Sequence, residues 1–240
     1  MKNPNGPYPG RQLFLGMTAD GQPAFAYLVT GRSPASRERF AKPMGESIIM
    51  GPIGNVPYDW LRHYMATRVD NTIGLMTVSN GIQTEAIFEM YKLLYHTLHA
   101  PDDSYIKKIM DGADYEPDSI STPRIAGVIM NPPGKTDPVY YAAIVTNGRP
   151  AAAWQIKPKA GTFYGVSTYH GNMEKPGAFN IDGGPAELQI AAKIPQAIAD
   201  YVYEISAADY QGDDIRVCAL GGVRGKDNGW EIAVINRPKG

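Results

Sequence analysis

Cysteine is nearly absent: Cys218 is the single thiol in 240 residues. No intramolecular disulfide can form, which fits a reducing compartment. A thiolate zinc site has too few ligands. Histidine is scarce as well, and His63, His96, His99 and His170 do not cluster. His96 and His99 stand three apart on a predicted helix, without a carboxylate to complete a ligand set, so no metal is expected. No run of about 18 apolar residues occurs, so no transmembrane helix is expected. The opening MKNPNGPYPG is polar and lacks the apolar stretch of a signal peptide; residues 1–9 read as a flexible extension. An excess of one charge is missing too, with 23 basic residues against 24 acidic ones and a net charge of -1. Neither a nucleic-acid groove nor an anionic membrane surface is indicated, and any positive site must be local.

What is present is ordinary for a globular chain: 43% apolar and 20% charged residues. No repeat and no compositional shift marks a boundary, so residues 1–240 read as one domain. RQLFLGM and PAFAYLVTG read as a hairpin around Asp20-Gly21. GRSPASRERFAKP reads as a basic loop, ESIIMG as a short strand, and PYDWLRHYMATR as a short helix or helical turn started by Pro57. TIGLMTVSNG is a strand. From Thr84, a candidate cap, apolar residues at Ile87, Met90, Tyr91, Leu94, Tyr95 and Leu98 have helical spacing. DGADYEPDSISTP is a polar loop, RIAGVIM a strand and NPPGKTDP a breaker-rich connection. VYYAAIVTNGRPAAAWQI is a hairpin turning at Asn147-Gly148. TFYGVSTY is another strand. PAELQIAAKIPQAIADYVYEISA reads as helical with a break at Pro195, and IRVCALGGV and WEIAVIN are closing strands. Hairpin-linked strands interrupted by two helical regions predict an α+β fold with largely antiparallel sheets: two sheets packed together, with helices outside. Cys218 reads as a small core residue.

Four polar constellations fall at strand ends. GRSPASRER sets Arg32, Arg37 and Arg39 beside Ser33 and Ser36, a pattern suited to phosphate because guanidinium meets phosphate bidentately. SNGIQTE lies at a strand-to-helix junction where backbone N–H groups favour anions, with Asn80, Gly81 and Gln83 at the turn. In DYEPD, Asp114 and Glu116 are two apart and share a face if the stretch is extended; paired carboxylates split roles because proximity raises one pKa. Arg124, eight residues beyond Glu116, is a candidate partner for them. STYHG brings Ser167, Thr168, Tyr169 and His170 after a strand. Each segment alone has a plain alternative: a solvated loop, a turn or a cap.

The ordered set TADGQPAFAYLVTGRSPASR, PYDWLRHY, VSNGIQTE, DYEPDSISTPRIAG and VSTY resembles the archaeal-type IMP cyclohydrolase family. The likeness runs from Gly10 to about Gly127, more weakly through GVSTY. It implies a fold like the N-terminal-nucleophile hydrolases, a four-layer αββα sandwich. It also implies closure of the purine ring, converting 5-formamidoimidazole-4-carboxamide ribonucleotide to IMP and water. By motif, Asp114, Glu116 and Tyr58 correspond to catalytic residues, and Arg32, Ser33, Arg37, Asn80, Gly81 and Arg124 to substrate-binding ones. The implied protein is a cytoplasmic homo-oligomer acting on a small purine ribonucleotide without metal or cofactor, and without nucleic-acid or membrane partners. Thr30-Gly31 before the arginine, the N-terminal extension and the NPPGKTDP insertion depart from the family pattern. Two alternatives remain open: a purine-nucleotide-binding protein without turnover, and a true N-terminal-nucleophile amidohydrolase, which needs Cys, Ser or Thr as an exposed first residue where this chain has Met1-Lys2.

Overall fold

The computed structural model describes residues 3–238. Met1 and Lys2, where an exposed terminal nucleophile would have to stand, lie outside the described residues. The first hairpin pairs β1 (Arg11–Met17) with β2 (Pro23–Thr30), Gly21 taking a φ of +85° in its turn. A four-residue helix, α1 (Pro34–Arg37), leads into a second hairpin, β3 (Arg39–Met44) and β4 (Ser47–Pro52). Then come β5 (Met65–Asp70), β6 (Leu75–Ser79), α2 (Gln83–His96) and α3 (Asp103–Ala113). β7 (Arg124–Met130), β8 (Val139–Thr146) and β9 (Arg149–Ile156) form a meander. β10 (Thr162–Ser167), the short β11 (Tyr169–His170) and β12 (Gly177–Ala178), and β13 (Ala186–Gln189) precede α4 (Pro195–Ile205). Finally β14 (Asp209–Tyr210) and β15 (Asp213–Asp214) lead to the long β16 (Arg216–Arg224) and β17 (Trp230–Asn236).

The strands assemble into a six-stranded sheet, ordered β13-β10-β1-β2-β16-β17, and a seven-stranded sheet running β3 to β9 in chain order. Every ladder in both is antiparallel, as the hairpin-rich sequence predicts for an α+β chain. Side-chain alternation explains the layering. On β2, Phe25, Tyr27 and Val29 join a core with Met76, Val78, Ile125 and Ile129 of the other sheet. Its Ala24, Ala26 and Leu28 face the opposite way, against Ile198 and Val202 of α4. The outer face of the second sheet, including Ala126, Val128 and Tyr141, is covered by Ile87, Phe88 and Tyr91 of α2 and Ile106 and Met110 of α3. The sheets therefore pack on each other, with helices on both outer faces. Cys218 is buried between them.

Several local readings are corrected. Residues 39–44 form a strand rather than loop; β3 is a sheet edge, where Pro43 is tolerated. Of the two readings of PYDWLRHYMATR, the helical turn holds and the short helix does not. A turn at Asp59, whose carbonyl accepts from Arg62 N (2.9 Å) and His63 N (2.7 Å), gives way to β5, whose Ala66 and Thr67 are buried. Thr84 lies inside α2 rather than capping it; its hydroxyl donates to the Met65 carbonyl at 2.6 Å, tying the helix to the sheet. Ala186–Gln189 is an edge strand, and Pro195 opens α4 in the first turn, where its missing N–H costs nothing. The unanticipated α3 buries only Ile106 and Met110, too few apolar positions to announce it. Residues 3–9 are packed: Asn5 is buried, its carbonyl accepts from Gly171 N, and Tyr8 stacks on Tyr169 at 5.6 Å.

α4 sits close on the sheet because β16 offers it glycine. A Cβ on Gly221 would meet the Pro195 carbonyl oxygen at 2.2 Å and Ala199 N at 2.6 Å, both backbone atoms. Gly221→Val should cost about 1–3 kcal/mol, the usual penalty of overpacking, or roughly 2–12 °C in melting temperature for a chain of this size. Gly112→Ala, inside α3 with no atom within 4 Å of the added carbon, should instead stabilise by about 0.5–1 kcal/mol. Thermal melts of both variants check this; equal shifts would remove the packing argument.

Candidate active site

A cavity of about 620 Å³ opens where the N-terminal ends of β1 and β3 meet the loop after α3. Glu116 sits at its floor, 1% exposed. One carboxylate oxygen accepts from Arg11 Nη2 at 3.2 Å and the other from Asn80 Nδ2 at 3.2 Å. The local sequence fixes that position. Glu116 N donates to the Thr122 carbonyl at 2.8 Å, closing residues 116–122 into a loop. Inside it, the Asp118 carboxylate accepts from Thr122 N (2.9 Å), Thr122 Oγ1 (2.5 Å) and Ile120 N (3.3 Å), the side-chain-to-backbone turn that aspartate favours. Thr122 Oγ1 also hydrogen bonds the Tyr169 hydroxyl at 2.6 Å.

Asn80 ties this loop to the SNG turn. Besides Glu116 it donates to the Pro123 carbonyl (2.9 Å), and its amide oxygen accepts from Ile125 N (2.8 Å) and Gln83 Nε2 (3.2 Å). Gln83 Oε1 in turn accepts from Arg124 Nη1 at 3.2 Å. Gly81 makes this approach possible, since a Cβ there would lie 2.1 Å from Arg124 Nη1. Four buried groups thus form one connected network behind the cavity wall, in which Asn80 uses both ends of its amide.

Charge is unbalanced here. Arg11, Arg39 and Arg124 surround a single deeply buried carboxylate. Arg39 is 2% exposed, and among the described residues its Nε and Nη1 find no partner, nor do the Nε atoms of Arg11 and Arg124. Buried charges without counter-charges are costly, and an anion placed among them would lower that cost. Burial pushes the Glu116 carboxyl above its ordinary value, against the pull of the three arginines. Burial, with Arg11 close by, disfavours the charge on Arg39. Burial moves the Tyr169 hydroxyl up to about 12, so it stays protonated and can donate. At the cavity's outer side, Arg32 and Ser33 line the wall. Arg32 Nη1 donates to the Met173 carbonyl at 2.6 Å, and its guanidinium lies 4.9 Å from the Tyr8 ring centroid. Arg62 also lines it, paired with Asp59 at 2.7 Å.

The predicted residues separate into groups. Glu116, Arg32 and Ser33 line the cavity; Asn80, Gly81 and Arg124 stand directly behind it. Arg37 turns away, donating to the Gly31 and Arg32 carbonyls and pairing with Asp213 at 2.6 Å, which braces the loop. Asp114 and Glu116 do not share a face, because the stretch is not extended: Asp114 ends α3 at a φ of +55° and is exposed. The other acids lining the cavity are Asp118 and Asp59. Tyr58 is 73% exposed, rests against His63 at 5.6 Å and does not line the cavity. His170 is exposed and also stands outside it. Cys218 is buried with its thiol pushed up to about 12, unsuited to nucleophilic attack. Sequence reasoning missed Arg11 and Thr122. A cation opening the otherwise apolar strand RQLFLGM was the available signal for the first.

Comparison with known proteins points to one family. The family described as "IMP cyclohydrolase-like protein" matches residues 8–228. An IMP cyclohydrolase of Thermococcus kodakarensis is 27% identical over 94% of this chain and 96% of its own length. One of Methanocaldococcus jannaschii is 32% identical over 81% of this chain and 85% of its own. One of Halobacterium salinarum is 26% identical over 91% and 95%. With the match covering nearly the whole sequence, the chain belongs to the IMP cyclohydrolase-like family.

Proposed function

We propose that this protein is an IMP cyclohydrolase, closing 5-formamidoimidazole-4-carboxamide ribonucleotide to IMP with release of water. The observation that carries this reading is Glu116: a buried carboxylate with a raised pKa, held by Arg11 and Asn80 at the floor of a cavity rich in unpaired arginine N–H groups. The relatives' shared activity supports it.

The chemistry needs two proton movements. The carboxamide nitrogen attacks the formyl carbon; a C–N bond forms, nitrogen loses a proton and the formyl oxygen gains one. The resulting hydroxyl then leaves as water while the former formamide nitrogen loses its proton, giving the ring C=N bond. Glu116 takes the amide proton and returns it, a carboxylate suited to the task because its pKa is drawn towards neutrality. Arg11 supplies N–H donors for the developing oxyanion, while the Tyr169 hydroxyl donates to Thr122 and Thr122 to Asp118, holding the loop beside it. Arg39, with Arg32 and Ser33, takes the 5′-phosphate. Asn80 and Arg124 act through Glu116 as positioning residues. Holding nucleophile and formyl carbon of one small molecule in contact supplies much of the rate. Bonds and protons balance without electron transfer, so the reaction requires no redox cofactor.

The same reading takes the packing of two sheets between helices as the four-layer αββα sandwich of N-terminal-nucleophile hydrolases, here as a single domain. It also takes the protein as a cytoplasmic homo-oligomer; exposed Tyr58, Trp60 and Ile120 are apolar surface available to a second copy.

Conversion of the formylated ribonucleotide, followed by the hypoxanthine absorbance of IMP, tests the activity. Glu116→Gln should lower kcat by roughly 100- to 10,000-fold, the usual acid–base contribution, with a small change in KM. Asp114→Asn, outside the cavity, should lose less than about tenfold. Because the ionised carboxylate is the base, activity should rise with pH through the Glu116 pKa, above the ordinary glutamate value, and that acid limb should vanish in Glu116→Gln. An unchanged limb would move the base elsewhere.

Arg39→Ala should raise KM by roughly 10- to 150-fold, corresponding to the 1.5–3 kcal/mol of a charged hydrogen bond. Removing an unpartnered buried charge should leave the melting temperature unchanged or higher. Steady-state kinetics and a thermal melt read both effects; an unaltered KM would take the phosphate away from Arg39.

A further inference from the structure

The sandwich has a second mouth, at the far end of the same strands. Thr30, at one end of β2, lines the cavity described above, and Pro23, at the other end, lines a separate cavity of about 470 Å³. Seven residues of strand at about 3.3 Å each put the two roughly 23 Å apart. The other sheet repeats the relation: Arg124 opens β7 behind Glu116, and Asn131, just past its end, borders the second cavity.

The chemistry of this second mouth is one-sided. Arg224, Lys135 and Lys226 line it, and no carboxylate does among the described residues. Arg224, at the end of β16, is 5% exposed; its Nη1 reaches only the Gly74 carbonyl, at 3.3 Å. Among the described residues none of the three cations forms an ion pair. Burial lowers the Arg224 pKa, as expected of a charge lacking a counter-charge. Asp227, on the neighbouring turn, is occupied by Gly229 N at 3.1 Å and does not line the space. Gly74, at a φ of +66°, makes room for the guanidinium: a Cβ there would stand 2.9 Å from Arg224 Nη1. Lys135 is carried by NPPGKTDP, the insertion the family resemblance does not explain. Its Gly134-Lys135-Thr136 runs on to a strand rather than a helix, so it is not a nucleotide-binding P-loop. Tyr95, Pro132 and Ile73 give the remaining wall an apolar surface.

We propose that this second cavity is an anion site for a phosphorylated small molecule, with Arg224 as the buried contact and Lys135 and Lys226 as its arms. Arginine presents paired N–H groups to phosphate, lysines close on it as point charges, and the apolar wall takes the organic part. Nothing in this depends on the reaction at Glu116.

Trp230 is a local reporter, because its indole N–H donates to the same Gly74 carbonyl that Arg224 contacts, at 3.2 Å. Its indole N–H resonance in a 15N-labelled full-length sample should shift saturably on titration with inorganic phosphate, ribose 5-phosphate or IMP, and the probe acting at the lowest concentration identifies the source. The double variant Lys135→Ala/Lys226→Ala, with both changes at exposed positions, should keep its circular dichroism and melting temperature but weaken that binding at least tenfold. Arg39→Ala, at the other mouth, should leave it unchanged. A Trp230 resonance that no probe moves, or one that moves equally in the double variant, overturns the proposal.

Discussion

One buried ion pair organises this molecule. Glu116 is held between Arg11 of one sheet and Asn80 of the other, so a single carboxylate fixes how the two sheets meet at the mouth. An isolated charge in such a place would neutralise itself, and burial does push Glu116 in that direction. Three guanidiniums oppose this. The outcome is a carboxyl raised above its ordinary value by burial while Arg11, Arg124 and Arg39 pull it down.

The surplus of arginines follows from the same constraint. One carboxylate cannot balance Arg11, Arg39 and Arg124, and Arg39 is left with unpartnered N–H groups. An isolated domain would gain stability by losing such a charge. On the proposed function, the substrate phosphate completes that balance and offsets the repulsion among the arginines.

Much of the architecture was legible in the chain because period-two alternation and turn dipeptides are local. The hairpins at Asp20-Gly21 and Asn147-Gly148 appear where they were read. Misreadings fell where tertiary context overrides local preference. Pro43 sits in a strand because that strand is an edge, and Ala186–Gln189 is a strand because β10 offers it a partner. The site shows the same division. Glu116, Asn80 and Arg124 were legible in motifs, and they converge because the loop after α3 folds back on the SNG turn. Arg11 was not, since its role depends on a partner 105 residues away. The pairing of Asp114 with Glu116 failed on one backbone angle, the φ of +55° that turns Asp114 outward.

The strand order also carries a consequence for how the protein is made. The seven-stranded sheet is a meander of chain neighbours from residue 39 to residue 156, and such short-range pairings form early. The six-stranded sheet sets β2 against β16, Thr30 opposite Arg216, so its centre stays open until residues 216–224 have left the ribosome. High contact order of this kind slows folding. A nascent chain stalled before β16 would therefore hold the β1–β2 hairpin that carries Arg11 without the strand that completes the middle of its sheet.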